Sequence, residues 1–189
     1  MLTPFVPTLF IAVGLAMDAF SVSLAGGAGL KRNMLRTALA AGLLFGFFQF
    51  AMPVIGYVIG VPVTNLITPY GYWVVFFLFL FVGGKMIYDA VFGDEECGID
   101  LTGGKVLLIL AVATSIDALA VGVSYALLGE EILLPAIIIG VVTFGFSAAG
   151  VAAGSKLGCV LGNKMEIIGG IILVLIGCKF LLDNFLWMI

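Results

Sequence analysis

At 189 residues, with 63% hydrophobic residues, 10% charged residues and a mean hydropathy of +1.30, the chain holds far too little charge for a water-soluble domain, in which about 25% of residues are charged. Composition alone makes it a membrane protein. The net charge of −3 offers no basic patch to nucleic acid, and the absence of His excludes imidazole zinc sites and His-based catalysis.

The apolar runs are much longer than strands and lack the period-two alternation of a lipid-facing barrel, so helices must satisfy the backbone. At about 20 residues per span, the sequence predicts six spans at approximately 5–27, 38–60, 71–92, 105–127, 134–156 and 166–187. The first opens after Pro4 and Pro7 and ends at Gly26, Gly27 and Gly29, followed by Lys31, Arg32 and Arg36. With no basic segment ahead of it and no small-residue cleavage site, it is expected to be a retained helix and not a signal peptide. The second span carries Gln49 and Pro53 and leaves through Pro62 and Pro69.

Tyr70, Tyr72 and Trp73 open the third span as an interfacial aromatic belt. It ends in Gly93-Asp94-Glu95-Glu96-Cys97-Gly98, which reads as a solvated connector. The fourth span carries Thr114-Ser115-Ile116-Asp117, and Pro135 opens the fifth, which holds Ser147 at its centre. Cys97, Cys159 and Cys178 are scattered, without a metal-ligating spacing. Lys31, Arg32, Arg36, Lys105, Lys156 and Lys164 flank three connections, whereas the connections near 61–70 and 128–134 have no Lys or Arg. By the positive-inside rule those three connections are cytoplasmic and both termini are outside.

Two phrases stand out, Met17-Asp18-Ala19-Phe20 and Ile116-Asp117-Ala118-Leu119, each setting an Asp inside an apolar run. A charge at the bilayer centre costs on the order of 3 kcal/mol, so an intramembrane carboxylate points to function. Laying residues 1–98 over 99–189 aligns Asp18 with Asp117 and Gly56-x-x-x-Gly60 with Gly154-x-x-x-Gly158. It also aligns Lys85 and Asp89 with Lys179 and Asp183, each an i,i+4 pair that snorkelling toward an interface explains. Three spans per half is an odd number, so the second half must be inverted. The expected fold is an all-α membrane protein of two inverted three-helix repeats, an architecture that places the substrate site near the midplane between the halves.

If both carboxylates face one cavity, their mutual repulsion leaves at least one protonated when the site is empty, and a divalent cation would displace that proton. This is the minimal chemistry of a metal/proton exchanger. The candidate ligands are Asp18, Asp117, Gln49, Ser147, Thr114 and Ser115, with Gln49 answering to Ser147 across the repeat. All are hard oxygen donors that suit Mg, Ca or Mn. Met17, beside Asp18, is turned about 100° away on a helix and is assigned to packing. The alternative for each Asp is a protonated strut between helices.

Taken together, Met-Asp-Ala-Phe at 17–20, Phe-Gly at 45–46, Pro53 with Gly56, Gly83-Gly84-Lys85-Met86-Ile87, Thr-Ser-Ile-Asp-Ala at 114–118, Ala-Val-Gly at 120–122 and Glu166-Ile-Ile-Gly-Gly170 resemble the MntP-type manganese efflux pumps of bacterial inner membranes. That family is distantly similar to the lysine exporters. The resemblance implies export of Mn(II), with the repeat-motif carboxylates at Asp18 and Asp117. Some relatives have an acidic residue at the place of Gln49 and a Ser at that of Ala16. The expectation is therefore a non-enzymatic exporter in a bacterial or archaeal cytoplasmic membrane, with Mn(II) as transported substrate, protons as partner and no cofactor. The alternatives are an exporter of a small cationic organic solute such as an amino acid, or a passive channel or scaffold.

Overall fold

The structure, a computed structural model, describes residues 5–28, 30, 33–67, 71–93, 101, 103–157 and 160–187. Among these described residues there are seven helices: α1 Phe5–Ala28, α2 Met34–Ile67, α3 Gly71–Phe92, α4 Gly104–Ala113, α5 Ile116–Leu128, α6 Leu133–Leu157 and α7 Val160–Trp187. There is no strand among the described residues. Lys31, Arg32, the linker from Asp94 to Gly98, Gly158 and Cys159 lie outside the described residues, as do the side chains of Lys156, Glu166 and Asp183.

Among the described residues, five stretches are long and apolar enough to cross a membrane: Val6–Ala28, Met34–Pro62, Trp73–Phe92, Gly104–Leu128 and Leu133–Gly154. The sixth expected span appears as α7, whose apolar part, Ile167–Leu182, is shorter. The surface is that of a protein solvated by lipid: Leu43, Phe47, Val58, Phe81, Phe92, Val141 and Leu175 all face outward. The interior, by contrast, is rich in Ala, Gly, Ser and Thr. Where hydrocarbon surrounds the bundle, apolar burial gives no net drive to associate, and small residues hold helices together by close packing.

α1 packs along α6 and α7, α2 along α6 and α5, and α3 along α7 and α5, whereas the consecutive helices α1 and α2 barely touch. Helices α1, α2 and α3 are thus held mainly by α5, α6 and α7. The seams are backbone-close. A Cβ on Gly46 would lie 2.8 Å from the Gly140 carbonyl oxygen, and one on Gly140 would lie 2.9 Å from that of Gly46. α2 continues through Pro53 and Pro62 for 34 residues.

The predicted fourth span is not one helix. α4 stops at Ala113 and α5 starts at Ile116, with Ser115 at φ −102° and ψ 1° between them. The Ser115 N–H turns back to the Val112 carbonyl at 3.2 Å, an i→i−3 bond that tightens the end of α4. α5 closes on Gly129 in the left-handed region, φ 68°, with the Glu130 N–H returning to the Tyr125 carbonyl at 3.1 Å, as in a Schellman end.

Candidate functional site

The break in the fourth span decides how Asp117 is held. Asp117 lies in the first turn of α5, where a carboxylate meets the positive end of the helix dipole. Its Oδ1 accepts the Ala118 N–H at 2.8 Å, the group that would bond the Thr114 carbonyl in an unbroken helix. The Thr114 carbonyl takes the Gln49 Nε2–H from α2 instead, at 3.0 Å. That bond fixes the Gln49 amide, leaving Oε1 buried and unpaired, and Asp117 Oδ2 is likewise buried and unpaired. Gln49 itself is completely inaccessible.

Asp18 sits in the unbroken middle of α1, half-buried, and Asp117 lies within electrostatic reach of both Asp18 and Lys85. Among the described residues, no third acidic, Cys or His side chain joins a metal-binding group. The two phrases that are alike in sequence therefore differ in backbone, one on a continuous helix and one at the start of a half-helix.

The hydroxyls divide into two sets. Thr114 Oγ1 donates to the Ala111 carbonyl at 3.4 Å and Ser115 Oγ to that of Val112 at 2.9 Å, so both protons are committed to α4 and only the oxygen lone pairs remain free. Ser21 and Ser124 bond back in the same way, to Met17 and Ala120. In contrast, Ser147, Thr143 and Ser23 are fully buried, and their hydroxyls have no hydrogen-bond partner.

If the two Asp phrases are taken as equivalent, the glycine contacts do not match Ser147 with Gln49. A Cβ on Gly56 would fall on the Leu119 carbonyl, and one on Gly150 would meet the carbonyl of Phe20, 2.9 Å away. Leu119 and Phe20 each stand two residues after the Asp of their half. One turn further, Gly60 approaches Val123 and Gly154 approaches Leu24. With Asp18 placed on Asp117, these contacts pair Gly56 and Gly60 with Gly150 and Gly154, not with Gly154 and Gly158. Gln49 then corresponds to Thr143, and Ser147 to Pro53. The sequence reading passed over Thr143, yet it had a signal: the pattern Gly46, Gly56, Gly60 recurs at the same spacing as Gly140, Gly150, Gly154.

Lys85 and Asp89 form their i,i+4 pair at 2.7 Å on an exposed face of α3, the side chains being 66% and 43% accessible. Lys179 is exposed on α7.

The family model described as "Putative manganese efflux pump" matches residues 32–181. The chain belongs to the MntP family. A family relative from Methanocorpusculum labreanum is 68% identical over 176 residues, covering 93% of this chain and 95% of its own. Relatives from Methanobrevibacter smithii and Methanosarcina acetivorans are 48% and 44% identical, over 95% and 97% of this chain and 98% of theirs. All three carry the name "Putative manganese efflux pump MntP". No solved structure matches. With its apolar helices and a family named for transport, the chain is an integral membrane protein, and its relatives are named as transporters and not as enzymes.

Proposed function

We propose that this protein exports Mn(II) from the cytoplasm through a mid-membrane site built on Asp18 and Asp117, in exchange for protons. The observation that carries the reading is the pair of carboxylates within electrostatic reach of each other inside an apolar bundle, with the unpaired Asp117 Oδ2 and Gln49 Oε1 beside the helix break. Two carboxylates neutralise one divalent cation. Without it their repulsion in a medium of low dielectric is relieved by taking up protons, so metal and protons compete for the same oxygens. An all-oxygen set suits Mn(II) over softer metals.

The six-span, two-repeat architecture is part of this reading. Exchanging α1 with α4–α5, α2 with α6 and α3 with α7 turns the α1–α6 seam into the α5–α2 seam and the α1–α7 contact into the α5–α3 contact, all of which occur. The Gly46–Gly140 crossing maps onto itself. An axis in the membrane plane through that crossing relates opposed halves, as in inverted-repeat transporters. The charge bias of the connections puts both termini outside the cytoplasmic membrane. The names of the relatives favour a metal over a cationic amino acid as cargo.

The test is transport by the purified protein in liposomes. Mn(II) movement should acidify the compartment that Mn(II) leaves, make the one it enters more alkaline, and respond to an imposed pH gradient. Mn(II) movement with neither effect would contradict proton exchange, and movement of an amino acid in place of the metal would overturn the cargo.

A further inference from the structure

We propose that Thr143 supplies a neutral oxygen ligand to the transported cation on the Asp18 side, as Gln49 does on the Asp117 side; this rests on the midplane site proposed above. Thr143 is one of the largest completely buried side chains in the protein. A buried Thr in a helix ordinarily bonds back to the carbonyl one turn earlier, and Thr114 does so. Thr143 Oγ1 has no such bond and no partner on another helix, an arrangement that is costly for a buried polar group unless a ligand offsets it.

Its place on α6 gives the direction. Gly140, three residues earlier, packs against Gly46 and Phe50 of α2, and Gly150, seven residues later, packs against Phe20 and Ser23 of α1. Positions i, i+3, i+7 and i+10 share one helix face, so Thr143 and Ser147 lie on the stripe that meets α1 and α2 together. On α2 the matching stripe is Gly46, Gln49, Pro53 and Gly56, with Pro53 and Gly56 against Gly122 and Leu119 of α5. Gln49, the Thr143 counterpart, is the residue whose amide oxygen stands free while its amide N–H bonds the Thr114 carbonyl, three residues before Asp117.

The ligand is a dehydrated hard divalent cation held by two carboxylates, one amide oxygen and one hydroxyl. A neutral oxygen adds coordination without a further charge, so the metal-bound site stays neutral. The hydroxyl makes Thr143 a determinant of metal preference, since replacing it by sulfur changes the softness of one ligand and leaves the rest in place.

Mn(II) and Cd(II) binding to the full-length protein in nanodiscs tests this, with Thr143→Val, Thr143→Ser, Thr143→Cys, Asp18→Asn and, as a control on the same helix, Gly145→Ala, whose added methyl would meet nothing within 4 Å. Thr143→Val should weaken Mn(II) binding about tenfold, Thr143→Ser should recover most of it, and Gly145→Ala should match wild type. Thr143→Cys should raise the preference for Cd(II) over Mn(II) about tenfold, a shift that a purely packing role does not produce. If Thr143→Cys keeps the wild-type Cd(II)/Mn(II) ratio, or Thr143→Val binds Mn(II) as wild type does, while Asp18→Asn loses binding, the Thr143 assignment is wrong and the midplane site stands. If Asp18→Asn also binds Mn(II) normally, the site itself falls and Thr143 with it.

Discussion

Gln49 shows how one side chain can link a break in a helix to a binding site. Its Nε2–H occupies the carbonyl that the break at Thr114 releases, and that same bond holds Oε1 in place. Replacing Gln49 by Leu keeps the bulk and strands the Thr114 carbonyl. The expected loss is about 1–3 kcal/mol of stability, read as a lower midpoint of thermal unfolding in detergent, together with weaker Mn(II) binding. An unchanged midpoint would show that the amide does not support the break. Asp18, Asp117 and Gln49 stand out in the sequence as candidates because polar groups in apolar runs are expensive and therefore conspicuous. Thr143 does not stand out, because hydroxyls in membrane helices usually satisfy themselves on their own backbone, as Ser21 and Ser124 do here. Only the contacts distinguish a hydroxyl that has bonded back from one that has not.

The helices were legible as apolar runs, but the break between α4 and α5 was not. Thr114-Ser115 contains neither Pro nor Gly, and the interruption is stabilised by Gln49, 65 positions away in the chain. The alignment of the α2 glycines on those of α6 is ambiguous by one turn for a related reason. Gly150, Gly154, Gly158 and Gly162 recur at every fourth position, so a glycine ladder slides along itself without losing matches, and only its contacts with Phe20 and Leu24 select one position. Those contacts carry a prediction. Gly150→Ala places a methyl against the Phe20 carbonyl and the Ser23 side chain, and overpacking of this kind costs about 1–3 kcal/mol. On the same helix Gly145→Ala meets open space and should stabilise by about 0.5–1 kcal/mol through helix propensity. Thermal unfolding of the two variants checks the pair, and equal effects would contradict the proposed seam.

At the scale of the molecule, odd parity of the spans and the charge of the connections were enough to propose opposed halves, and the exchange of α1–α6 for α5–α2 contacts agrees with that reading. Parity says nothing about how the halves interlock, which depends on side chains of different helices meeting. The orientation is open to a direct check in a background free of the three native cysteines. A Cys at Asn33 should react with a membrane-impermeant thiol reagent only from the cytoplasmic side, and one at Glu130 only from outside; the reverse pattern would invert the topology and the direction of transport with it. In the proposed function, one site made from both halves moves the metal. Mn(II) transport by wild type, Asp18→Asn and Asp117→Asn in liposomes tests it most directly, since the amide keeps the shape of a carboxyl and removes its charge. Each substitution alone is expected to abolish transport while both proteins remain folded, and transport retained in both variants would mean that the metal does not depend on these carboxylates.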